Sequence, residues 1–188
     1  MYFICPFWIK SNIFNRAYEK LPLVLLNLNK KNLKAESIHE IKTSLLEEEK
    51  KKLVDFCLRL AKHKKENKEL LSYLLFDSGN EADYMNRVKE EMELSFKEIN
   101  QSNLYFAKKT LRKILRITNK HIRFVASKAV EAELLIHYCL LLKGSGLAFK
   151  ESLVLMNLYN QQCKKIHAAV ESLHEDLRLD FQNSLQLL

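Results

Sequence analysis

From residue 33 onward the apolar positions recur at intervals of three and four, the spacing that gathers side chains onto one stripe of an α-helix. Leu33, Ile38, Ile41 and Leu45 mark a first stripe and predict a helix over 33–46. Ser44 to Glu47 reads SLLE, the pattern of a capping box in which hydroxyl and carboxylate satisfy each other's free amides. It predicts the start of a second helix, with Leu53, Cys57, Leu60 and Ala61 on its inner face. HKKENK (63–68) fits either a charged helical face or a corner, and ELLSYLLF after it is apolar enough to be buried on more than one side. DSGN at 77–80 is the first clear break. Asn80, followed by Glu81 and Asp83, predicts a helix start, and Tyr84, Val88, Met92 and Phe96, each four apart, carry that helix to about residue 99.

NQSN (100–103) supplies a connector and a cap for a helix ending at 124 or 125, with a bend near Ser127. VEAELLIHYCLLLK (130–143) is apolar on nearly all sides and predicts the central buried helix, ended by GSG at 144–146. A last long helix is expected over 149–181. Three glycines and two prolines, both prolines within the first 22 residues, leave too few turn residues for a β fold of this length. The expectation is an all-α, single-domain bundle of about six helices, with stacked αα-hairpins as an alternative arrangement. Residues 1–30 stand apart: they hold the one tryptophan and both prolines and lack helical periodicity. They read either as an ordered arm docked on the helical body or as a poorly ordered extension, ahead of an all-helical domain at 31–188.

Composition narrows the setting. A chain of 188 residues is long enough for a full core, burying about 70% of its unfolded surface. Cys5, Cys57, Cys139 and Cys163 form no CxxC pair and lie singly among apolar residues, which suits a reducing compartment. No apolar run approaches the roughly 18 residues of a membrane span, and no basic segment followed by a long apolar stretch marks a leader. A cytoplasmic protein without a membrane span is expected.

The stretches FCLRLAKHKKENKELLSYLLF (56–76) and YFAKKTLRKILRITNKHIRF (105–124) resemble a family of bacterial helical proteins with no assigned function, over roughly residues 45–145. The resemblance implies an all-helical fold; it implies no activity and carries over no site residue.

Charge is where the sequence becomes specific. Between Ile99 and Val130 there is no Asp or Glu, while eight of the 31 basic residues fall there. The other 23 match the 23 acids, so this stretch accounts for the whole formal charge of +8. At about 100° per residue, Lys109, Arg112, Lys113, Arg116, Lys120 and Arg123 share one sector, opposite a stripe of Leu104, Ala107, Leu111, Leu115, Thr118, Ile122, Val125 and Ala129. Like charges at these spacings repel by a few tenths of a kcal/mol per pair. Such a ridge suits phosphate groups, which arginine grips bidentately and lysine meets as a point charge. Tyr105, with Phe106 and Phe124, flanks the ridge and is placed to stack on bases. The alternative is an ordinary face neutralised by Glu90, Glu91, Glu93 and Glu98 before it and Glu131 and Glu133 after it, within the fold or across a homodimer.

Cys163, His167, Glu171 and His174, at spacings of 4, 4 and 3, place zinc-type ligands on one face of the last helix, next to Val170, Leu173 and Leu177 of a packed boundary. His137 and Cys139 are two apart, so on a helix they point away from each other and fit a core histidine and a buried thiol better than a nucleophile and base. No glycine-rich phosphate loop, GxSxG or HExxH occurs. No cofactor is expected, and a binding protein is favoured over a catalyst. The first reading is a helical binding or assembly module with a protein partner or self-association. The second is a nucleic-acid- or phosphate-binding protein using the basic ridge, and a helical metal-binding protein is a distant third.

Overall fold

In the computed structural model residues 35–147 and 152–188 are described, and 82% of them are helical, with no strand among them. The all-α fold is as expected, but the helices number eight among these residues rather than six. They are α1 (Ile38–Leu46), α2 (Lys50–His63), α3 (Lys65–Ser72), α4 (Glu81–Lys97), α5 (Leu104–Val125), α6 (Lys128–Gly144), α7 (Leu153–Glu171) and α8 (Glu175–Gln186). A π-helical turn, Tyr73–Asp77, extends α3. The chain forms two compact units, Met1–Leu53 and Val54–Leu188. The arm expected at 1–30, the helix start at 33 and the start of the last helix at 149 lie outside the described residues.

Two local expectations need correction, and one open alternative is decided. The capping box is made by Ser37 and Glu40, one turn upstream of Ile41: Ser37 Oγ accepts from the Glu40 amide at 3.3 Å and Glu40 accepts from the Ser37 amide at 2.9 Å. Ser44 is therefore inside α1, not ahead of α2. The charged HKKENK stretch is a corner between α2 and α3, where Asn67 donates back to the Leu60 carbonyl at 2.9 Å. The last helix is two helices, because Ser172 turns back on Ala169 and Arg178 donates to the carbonyls of Leu173 and Glu171, satisfying the open end of α7.

The core of the second unit is built around α6. Leu134, Leu135, Tyr138, Cys139 and Leu142 are fully enclosed there, packed by α4, α5 and α7. Burying each such leucine contributes about 1.5–3 kcal/mol. The Tyr138 ring meets Phe96 edge-on at 5.4 Å, and its hydroxyl donates to the Leu111 carbonyl at 3.3 Å. His137 is a boundary residue and Cys139 a core residue: burial pushes the Cys139 thiol far above its usual range and lowers His137.

Asn103 starts α5, its side chain accepting from the amides of Tyr105 and Phe106 at 2.9 and 3.4 Å. Ala107, Leu111, Leu115, Thr118 and Ile122 of the expected stripe, joined by Ile114, bury one face of α5 against α4 and α6, whereas Leu104 is exposed and Phe124, expected beside the ridge, is buried in the core. The bend near Ser127 is a single left-handed residue, Ala126, at φ 56° and ψ 28°. Ser127 then caps α6, so two long helices meet with one residue between the end of one and the cap of the next.

Candidate functional site

The order of residues on α5 divides the ridge into two flanks. At 3.6 residues per turn, Arg112, Arg116 and Arg123 occupy about 40° of the circumference, and Lys109, Lys113 and Lys120 the adjoining 40° or so. The arginine flank turns toward α6 and α7. There Arg112, Arg116 and Arg123 join Lys128 of α6 and Lys165 of α7 around an open groove of about 940 Å³. Its apolar wall is formed by Leu115 and Ile122, and Glu131 is the one carboxylate lining it.

The glutamates of the neighbouring helices do not cover the ridge as the charge pattern suggests. Glu133 pairs with Lys89 and Glu93 faces His137, both between α4 and α6, and Glu131 is held by Lys128 at 2.7 Å. Neutralisation comes from α3, and only at the far end of the ridge. Lys120 binds Glu69 at 2.8 Å, with its ammonium 5.8 Å from the centre of the Phe124 ring, and Arg123 binds Glu66 at 2.7 Å. The bond from Lys120 holds the Glu69 carboxyl below the usual range. Arg112, Arg116, Lys109, Lys113 and Lys165 have no acid within ion-pair distance among the described residues.

α3 is held over that end of α5 by an aromatic cluster. Tyr73 lies 4.7 Å from Tyr84 and 6.4 Å from Phe124, between ring centres. The Tyr84 hydroxyl and His121 Nδ1 share a hydrogen bond of 2.7 Å. Burial raises Tyr84 to about 12 and, from the other direction, lowers His121, so both are neutral at pH 7. The cluster thus fixes which ridge cations are paired and which are left open.

Sequence reasoning placed Arg112, Arg116 and Arg123 on one helix face but missed Lys128 and Lys165 as groove residues. Lys128 lies inside the acid-free stretch and carried a signal; Lys165 carried none, since only packing brings α7 alongside α5. The zinc-type set is not gathered: Cys163 is half-buried beside Cys139, His167 and Glu171 are exposed, and His174 has left the helix and precedes α8. Among the described residues no group of three His, Cys, Asp or Glu side chains is arranged to hold a metal ion. None of the described helices is long and apolar enough to cross a membrane.

Comparison with family models, with curated proteins and with solved structures finds no match to the chain.

Proposed function

We propose that the protein is a cytoplasmic binding module whose ligand is nucleic acid, held through its phosphates in the groove between α5, α6 and α7. The observation that carries this reading is the set of Arg112, Arg116 and Lys165, which face a concavity with no carboxylate partner while Glu66 and Glu69 neutralise only the distal ridge. Six like-charged contacts at three and four residues along α5 cost about 1–3 kcal/mol together. Bound phosphates relieve that cost, and arginines at i and i+4 present two guanidinium forks to one backbone.

The test is fluorescence anisotropy of a labelled oligonucleotide across a salt series. Four phosphate contacts give a log–log slope of about −3 to −4. Changing Arg112 and Arg116 together to Gln lowers its magnitude by about 2. Absence of binding at low salt, or a slope indifferent to that double change, overturns the reading.

A second reading, assembly through a protein face, has its own support. Leu74, Leu75 and Phe76 on the π-helical turn are 53%, 65% and 82% exposed, and Leu74 shares an apolar surface hollow with the exposed Leu60 of α2. Charged residues are the usual occupants of such positions, so a continuous apolar stretch points to a contact with a second copy. Sedimentation velocity resolves this: a dimer abolished by Phe76→Glu supports it, and a monomer at high micromolar concentration sinks it.

A further inference from the structure

Resting on the nucleic-acid reading above, we infer that the groove takes a single strand rather than a duplex. In this arrangement phosphates lie on Arg112, Arg116 and Lys165, and a base stacks on Tyr105.

The first observation is shape. A duplex is read by an element that projects into a groove about 12 Å wide. α5 does not project: Lys165 of α7 faces its arginines, and Glu66 and Glu69 of α3 flank the far end of the ridge. The cations therefore line a concavity of about 940 Å³ between α5, α6 and α7, not a projecting edge.

The second observation is Tyr105. By helical rotation it falls at the same azimuth as Arg123, in the middle of the arginine flank, and at 1.5 Å per residue it precedes Arg112 by about 10 Å. Tyr105 is 68% exposed and meets Phe106 in a T-shaped contact at 5.5 Å. An aromatic held at the end of a line of arginines is the arrangement that binds single strands with little sequence preference, since every base has a face to stack. In a duplex the bases are already stacked on one another and Tyr105 has nothing to gain.

The test compares a labelled single strand of about 16 nucleotides, long enough for one site, with its own duplex. Wild-type protein, Tyr105→Ala, Tyr105→Phe and the Arg112→Gln, Arg116→Gln double variant are each titrated. The expected result is at least tenfold preference for the single strand. Tyr105→Ala loses about tenfold of that affinity with an unchanged salt slope, and Tyr105→Phe retains it. Tyr105 is on the surface, so the far-ultraviolet spectrum and melting temperature of its variants should match the parent. Equal affinity for duplex and single strand, or no loss in Tyr105→Ala, overturns the single-strand assignment and leaves the groove a general polyanion site. No binding of either probe at low salt overturns both readings.

Discussion

Ala126 gives the sharpest test of how the fold is made. It is the non-glycine residue at positive φ among the described residues, its amide donating to the Ile122 carbonyl at 2.9 Å to close α5. In the left-handed region Cβ crowds the carbonyl, at a cost of about 1–2 kcal/mol for a side-chain-bearing residue. Ala126→Gly removes that crowding. It also adds freedom to the unfolded chain, which costs about 0.4–1 kcal/mol. The difference predicts a gain of about 0.5–1 kcal/mol, or a rise in Tm of about 1–4 °C for a domain of this size. Ala168→Gly, an exposed and ordinarily helical position in α7, is the control and should lose about 0.5–1 kcal/mol. Urea unfolding followed by circular dichroism measures both. If Ala126→Gly is neutral or destabilising, the junction is not held in the left-handed conformation and the groove beside it is not shaped as described.

Glu66→Gln with Glu69→Gln frees Arg123 and Lys120, so affinity for oligonucleotide should rise and the salt slope steepen by about 1–2, read by the same anisotropy titration. Leu111→Ala, at a site with no exposure, should cost about 2–5 kcal/mol in urea unfolding without changing the charge of the groove. Burial holds His121 and His137 below the ordinary imidazole range, so the unfolded chain binds their protons more readily than the folded one. Stability is therefore full above about pH 6.5 and falls as pH drops toward the folded values; His121→Gln or His137→Gln should flatten that slope in thermal melts.

Helix type and most helix starts were legible in the sequence because both depend on neighbours within four residues. Asn80 and Asn103 cap where the pattern places them, and the middle of the α5 stripe, from Ala107 to Ile122, is buried, while Leu104 at its start is exposed. Local reasoning failed where two local solutions competed: Ser37–Glu40 took the cap that Ser44–Glu47 also spells, and Arg178 closed α7 from beyond its end. The basic ridge, too, was legible in full as a list of residues and as a face. Which cations on it stay open was not. That depends on Glu66 and Glu69 reaching Arg123 and Lys120 across more than fifty positions, and on Lys165 arriving opposite Arg112 and Arg116 through the packing of α7 on α6. Helical periodicity is a property of adjacent turns, so sequence alone determined the ridge. Charge pairing acts over a few ångströms between residues far apart in the chain, so only the tertiary structure decided that half of the ridge opens onto a groove.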